Sequence, residues 1–324
     1  MLDIVIDNRN GTMWNLSQIV SSVTWKTSQT GKPSSVELTF IKGGIYQDTS
    51  FSINSGDVIR IISLEPKANI FYGYVFEIEE GQDEDVKVKA YDQIRYLMAN
   101  DTYVFKNVTA TEVLRRIASD FNLKTGELED TRYKIPAMIE DGKKLLDIIC
   151  NALDKTLLNT GKKYILLDDF GSLSLRNTDN MLLDFIVGDQ SLMVDYNFIR
   201  SIEESYNRVK LVQDNNKTKK RDVYIVQDSS NIAKWGKLQL YQKVDDGLNR
   251  AQVNQILQTL IQTKNREMKK FRIEALGDVR VRAGNYVRIM VGKLDIDKQP
   301  FRVDECTHKF DGGDHTMTLE LRVI

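Results

Sequence analysis

Alternation of apolar and polar residues dominates the first hundred positions. Val36, Leu38 and Phe40 alternate with polar partners after a turn at Gly31-Lys32-Pro33. Val58-Ile59-Arg60-Ile61-Ile62 follows, and after the loop Ser63-Leu64-Glu65-Pro66-Lys67-Ala68-Asn69 the pattern resumes from Phe71 to Ile78. A period of two with intervening turns predicts short strands of a sandwich or small barrel. The period changes after Tyr91-Asp92. Thr109-Ala110-Thr111-Glu112 has capping-box spacing, and Val113, Leu114, Ile117, Ala118 and Phe121 then fall on one helical face. A second helix is predicted from near Asp141, with Leu145, Leu146, Ile148, Ile149, Ala152 and Leu153 as its apolar face. Tyr164-Ile165-Leu166-Leu167 and Leu173-Ser174-Leu175 flank a turn at Asp168-Asp169-Phe170-Gly171 and read as a hairpin. Strands resume at Tyr206-Asn207-Arg208-Val209-Lys210-Leu211-Val212 and Asp222-Val223-Tyr224-Ile225-Val226. A helix is predicted from about Leu248 to Lys264 on the stripe Val253, Ile256, Leu257, Leu260 and Ile261, and β-pattern returns from Phe271 to the end.

The end of the chain also repeats its beginning. Gly56-Asp57-Val58-Ile59-Arg60-Ile61 has a counterpart in Gly284-Asn285-Tyr286-Val287-Arg288-Ile289. Each is followed by an aromatic strand, Phe71-Tyr72-Gly73-Tyr74-Val75-Phe76 or Phe301-Arg302-Val303-Asp304. An acidic glycine turn comes next, Glu80-Gly81-Gln82-Asp83 or Asp311-Gly312-Gly313-Asp314, and then an alternating strand, Val86-Lys87-Val88-Lys89-Ala90 or Thr316-Met317-Thr318-Leu319-Glu320-Leu321. A repeat resets the fold class, because one shape is then used twice. The expected class is α+β, β-dominated. A first β-barrel would span 1–98, an inserted α/β region 99–195, and a second β-barrel 196–324 with a helical insertion near 245–268.

Composition narrows the function. With 324 residues, 41% hydrophobic and 28% charged, the chain has the make-up of a folded multidomain protein. Its 45 basic and 46 acidic side chains nearly cancel, which removes the electrostatic footprint of a nucleic-acid or membrane-surface binder. The start, Met1-Leu2-Asp3-Ile4-Val5-Ile6-Asp7, is strand-like and lacks the basic and apolar regions of a signal peptide, so folding in a cytoplasm is expected. Cys150 and Cys306 are too few for a disulfide framework and read as small buried hydrophobes.

Candidate chemistry is sparse. His308 and His315 flank the Gly312-Gly313 turn, and a two-residue loop there would set Phe310 opposite His315 and His308 opposite Met317. The two imidazoles with a carboxylate could hold a metal, but no tight ligand motif accompanies them, and hairpin packing is the better reading. The acidic pairs Glu79-Glu80, Asp168-Asp169, Glu203-Glu204 and Asp245-Asp246 place their side chains on opposite strand faces or in solvated turns. The basic run Lys217-Thr218-Lys219-Lys220-Arg221 reads as a solvated hairpin tip. Trp14, Trp25 and Trp235 read as core or interface anchors. No nucleophile elbow, phosphate loop, zincin or dinucleotide motif is present. No catalytic, cofactor-binding or metal-binding residue is assigned, and no cofactor is expected.

Several segments together resemble the baseplate hub proteins of contractile phage tails, in the branch found in PBSX-type defective prophages and contractile-tail bacteriocins. They are Phe71-Tyr72-Gly73-Tyr74-Val75-Phe76 with Ala90-Tyr91-Asp92-Gln93-Ile94-Arg95-Tyr96-Leu97, Asp101-Thr102-Tyr103-Val104-Phe105 with Thr109-Ala110-Thr111-Glu112, Tyr206-Asn207-Arg208-Val209, and Trp235-Gly236-Lys237-Leu238-Gln239. Gly277-Asp278, Arg282-Ala283-Gly284, Thr307-His308-Lys309-Phe310 and His315-Thr316-Met317 complete the set. The resemblance implies two tube-protein-like β-barrels per chain and a homotrimer forming a pseudo-six-fold ring. Such a ring joins a six-fold tail tube protein to a three-fold central spike protein, with tape-measure and other baseplate proteins as further partners. It implies a structural, non-enzymatic protein, assembled in the bacterial cytoplasm and carried in the released particle. The chain ends at Ile324, just after the last strand, so lytic activity is expected in another protein. Two other readings are a tail protein that binds host-surface glycans and a peptidoglycan hydrolase built on Asp168 and Asp169 or on His308 and His315. The surfaces expected to form the ring lie around 58–62 and 287–291.

Overall fold

A computed structural model describes residues 1–29, 31–43, 48, 50–82, 84–215 and 220–323. Asp83 of the first acidic turn and Lys217, Thr218 and Lys219 of the basic run lie outside the described residues. The protein is β-dominated, as the alternation predicts. The N-terminal region contains β1 (Leu2–Asp7), β2 (Met13–Asn15), β3 (Val20–Ser28), β4 (Ser35–Ile41), β5 (Val58–Leu64), β6 (Lys67–Glu80) and β7 (Asp85–Tyr91). The middle region contains β8 (Asn100–Val108), α1 (Ala110–Asp120), β9 (Thr125–Leu128), β10 (Ile135–Lys144), α2 (Leu145–Thr160), β11 (Tyr164–Asp168) and β12 (Leu173–Asn177). After β13 (Leu182–Gly188) and β14 (Met193–Ser201) come β15 (Arg208–Asn215), β16 (Lys220–Gln227), α3 (Ser229–Trp235), β17 (Gln239–Lys243) and α4 (Arg250–Lys264). The chain closes with β18 (Met268–Leu276), β19 (Tyr286–Val291), β20 (Ile296–Asp311) and β21 (Asp314–Val323).

The repeat extends well beyond the matching hexads. One unit is ordered β3-β4-β7-β6-β5 and the other β14-β18-β21-β20-β19. Val58 faces Tyr74 as Tyr286 faces Arg302, Ala90 faces Val75 as Leu321 faces Val303, and Trp25 faces Val36 as Phe198 faces Phe271. The bulges coincide as well. One lies between Val75 and Glu77 or Val303 and Glu305, another between Val20 and Ser22 or Met193 and Asp195. Each bulge adds a residue and bends the strand, so coincident bulges give the two units the same curl.

The matched hexads form one device built twice. Gly56 and Gly284 have φ of +91° and +95°, a conformation that favours glycine. Their amides donate to the carbonyls of Val75 and Val303, both at 2.8 Å, and the Val75 and Val303 amides donate back to Asp57 and Asn285. The Asp57 carboxylate accepts from the Asn54 amide at 2.7 Å, and the Asn285 side-chain oxygen accepts from the Arg282 amide at 2.9 Å. Asp and Asn exchange freely because only an acceptor oxygen is needed.

The two units keep separate apolar cores. Ile6, Leu38, Phe40, Ile59 and Ile61 belong to one, and Phe271, Ile289, Phe301 and Leu319 to the other. Their strands nevertheless form one 13-stranded sheet, because β20 pairs with β3. The middle region has its own core, in which α1 and α2 pack on β8 and β10. Thr109 and Glu112 make both bonds of the expected capping box. The α2 helix begins at Leu145 and not near Asp141. Gly142 at φ +61° and a bulge between Glu140 and Lys143 keep those residues in β10.

The expected partition needs two corrections. β13 pairs in parallel with β19, so residues 182–188 belong to the second β-unit and not to the insertion ending at 195. The helical insertion is a larger α/β unit, in which β16-β15-β17 form a sheet with α4 on one face. Val253, Ile256, Leu257 and Leu260 of α4 bury against Val209 and Leu211, and the parallel β15–β17 pair uses α3 as part of its crossover. The surfaces expected around 58–62 and 287–291 also have no open edge. β5 pairs with β1 and β6, and β19 with β13 and β20.

Candidate functional site at the joints between units

The length of β20 creates the main joint. Residues 296–302 pair with β19, and beyond the bulge the same edge, from Glu305 to Asp311, pairs with β3. Cys306 thus faces Thr27, His308 faces Trp25, and Phe310 faces Val23. The Trp25 and His308 rings stack at 4.8 Å, and both residues are fully buried. Lys26 and Glu305 form an ion pair across the joint at 2.6 Å, and the Gln29 amide donates to the Asp304 carbonyl at 2.9 Å.

The two histidines do meet, in the pairing the glycine turn predicts: His308 faces Met317 and Phe310 faces His315. His308 Nε2 lies 2.8 Å from the Val281 carbonyl, which can only accept, so Nε2 carries the proton. Its Nδ1 therefore accepts from His315 Nε2–H at 2.9 Å. Burial holds the His308 pKa down at about 4 and also lowers that of His315. Gly277 permits this packing, since a Cβ there would lie 2.2 Å from the His315 ring. The nearby Asp278 carboxylate is taken by Arg280 at 2.6 Å. Among the described residues no three His, Cys, Asp or Glu side chains are grouped to hold a metal. The histidine pair is a neutral, hydrogen-bonded packing element.

A second joint buries ionisable groups where the middle region meets both β-units. Asp92, at the end of β7, accepts from the Ser34 and Ile94 amides, each at 3.0 Å. Arg282, in the hexad turn of the second unit, donates to the Asp168 carbonyl at 2.6 Å. Burial, with the Asp168 charge nearby, raises the Asp92 carboxyl to about 8, and burial likewise raises Asp168. Arg282, buried beside them, is pulled below its usual value by the loss of water. Sequence reasoning missed Asp92 and Arg282 as joints. Beyond their place in the resemblance segments, their signal was an ionisable side chain next to a buried strand or turn.

The remaining candidates do not converge. Asp169 pairs with Arg176 at 3.0 Å, and its other oxygen lies 4.0 Å from Arg282. Glu79 meets Lys87 and Glu80 meets Lys42 in solvent-exposed ion pairs of little energetic weight, while Glu204 meets Arg322 and Asp245 meets Lys155 with the basic partner partly buried. Trp14 donates to Asn8 at 2.7 Å and packs edge-on against Phe51. Trp235 ends α3, within the β15–β17 unit. The buried Asn207 donates to the Gly236 carbonyl at 2.7 Å and accepts from the Leu238 amide at 3.0 Å. A cleft of about 1060 Å³ between the β-units is lined by Met1, Val20, Asp278, Phe310 and His315. Among the described residues no helix is long and apolar enough to cross a membrane.

Several residues that carried the sequence resemblance, among them Asp92, Gly277, Arg282 and His308, lie at these joints. A family model described as YQBQ-like matches residues 23–322. This chain belongs to the YQBQ-like family. It is 32% identical over 315 residues to the phage-like element PBSX protein XkdQ of Bacillus subtilis, covering 96% of this chain and 94% of that protein. The fold is shared more widely. A tail protein from Neisseria meningitidis has a TM-score of 0.72 at 12% identity, covering 99% of this chain and 96% of that one. The Escherichia coli c3393 protein has a TM-score of 0.60 at 9% identity, covering 100% of this chain and 76% of that one. That protein is a component of the type VI secretion system with structural similarity to the T4 tail proteins gp27 and gp5. By family the chain is related to a protein of a phage-like element, and its fold is the one found in phage and prophage tail proteins.

Proposed function

We propose that this protein is the structural hub of a contractile-tail baseplate. Three copies form a ring with pseudo-six-fold symmetry, which adapts the six-fold tail tube to the three-fold central spike. The observation that carries this reading is the duplication: one chain holds two β-units with the same strand order, register and bulges. Three such chains present six near-equivalent surfaces to a six-fold neighbour and three identical ones to a spike. The likeness of c3393 to tail proteins supports the same reading. The tube and spike proteins are the direct partners, with tape-measure and other baseplate proteins beside them. The role is mechanical and non-enzymatic, in a particle assembled in the bacterial cytoplasm and then released.

Absolute mass by light scattering across a concentration series tests it. A stable trimer is the expected result. A monomer that persists with a spike subunit of the same particle present would overturn the hub reading.

A further inference from the structure

The joint between β20 and β3 occurs once within the chain, yet each β-unit carries both of its halves. In the second unit the edge of β20 beyond the bulge is filled by β3. Its counterpart in the first unit is the end of β6, residues 77–80. There, among the described residues, β7 is the only hydrogen-bonded neighbour. The counterpart of β3 is β14, which pairs only with β18 and forms an end of the sheet among the described residues. The chain therefore exposes one socket and one plug of a joint whose filled version it already contains.

We infer that the open edge of β6 takes β14 of a second copy of this chain, in the register that β20 and β3 use internally. Carrying that register across sets Glu77 opposite the partner's Ser201 and Ile78 opposite the partner's Arg200. Glu79 then lies opposite the partner's Ile199, and Glu80 opposite the partner's Phe198. This inference rests on the ring reading and adds the contact that closes the ring.

Three observations support it. Where the joint is filled, Trp25, Thr27, Cys306 and His308 are buried; where it is open, Phe198 and Ile78 are only half-covered, and Arg200 and Glu80 are exposed. The outer face of β14 adds Val194 and Ile199, at 69% and 52% exposure. Bare strand edges of this kind template pairing with another chain. The side chains also match across the paired edges: Phe198 lies diagonal to Ile78, and Arg200 diagonal to Glu80, within the reach of long side chains. Glu77 and Glu79 meet a strand flanked by Lys269 and Lys270 of β18. Socket and plug lie on different strands, so the contact is head-to-tail, the kind that closes into rings.

The test is a pair of cysteines in the full chain, Glu79→Cys with Ile199→Cys, under mild oxidation. Each single variant serves as control, with its circular dichroism and urea midpoint compared with the parent. The expected result is a covalent trimer on a non-reducing gel. It should form about tenfold faster than with Glu79→Cys and Asn197→Cys, where a two-residue slip moves the sulfurs apart. A trimer by light scattering without the 79–199 crosslink overturns the strand pairing and leaves the hub reading intact. Equal crosslinking by the slipped pair overturns the register. A monomer, alone and with the spike subunit, overturns both readings.

Discussion

The two β-units share a strand order and bulge positions but not their surroundings. The first offers Trp25 to β20, and Trp25 is buried; the second offers Phe198, its counterpart, at an edge with no strand partner among the described residues. Beyond the shared bulge, β20 carries Cys306 and His308, sealed from water, while β6 carries Ile78 and Glu80, which reach solvent. Backbone pairing has been kept in both copies, while side chains have followed the burial at each one. A hydrogen-bond ladder tolerates most side chains, whereas a buried position accepts only groups whose polar atoms find partners.

The largest expected effect tests that asymmetry directly. Trp25→Ala should lower stability by about 3–5 kcal/mol, read from urea unfolding, because a fully buried ring is lost. Phe198→Ala should cost only about 1–2 kcal/mol in the isolated chain, since its ring is half-covered. Equal losses would break the comparison.

Acidification should come next. The His308 pKa is about 4 in the folded chain against an ordinary 6.5, so between these values only the unfolded chain takes up the proton. Stability from this group is complete above pH 6.5 and falls by about 3 kcal/mol as pH drops towards 4. Burial of Asp92 works oppositely, with its carboxyl protonated in the folded chain up to about pH 8. The informative quantity is therefore the slope difference between the parent and His308→Gln across pH 7.5 to 4, in denaturant titrations. Indistinguishable slopes would remove the histidine from the joint's energetics.

The glycine turns give a smaller contrast. Gly56→Ala should cost about 1–3 kcal/mol through its left-handed backbone. Gly284→Ala should cost about 1 kcal/mol more, because its Cβ would lie 2.1 Å from the Ile165 methyl inside a packed cluster. Smallest of all, Asn285→Ala should cost about 1 kcal/mol through the lost Arg282 amide bond. Asp57→Ala should cost somewhat more, as the Asn8 side chain loses its acceptor too. Thermal melts of the four variants would rank them.

Much of this was legible in the chain. The capping box at Thr109, the α4 stripe, the hairpin pairing of Phe310 with His315 and the duplicated hexads were all readable because each depends on residues close in sequence. The start of α2, the place of β13 and the size of the 205–265 unit were misread. In each case a distant partner or a glycine turn overrode the local period. Trp25 and His308 carried no sign of one another.

The sequence alone determined the β-dominated class, the duplication and the family, because strand period, turn chemistry and ordered motifs are local or additive properties of the chain. Only the tertiary structure decided that the two units share one sheet, that the histidines are neutral packing groups, and which strand edges stay open. Those outcomes depend on which backbone donors and acceptors remain after distant strands have paired, and no local pattern counts them.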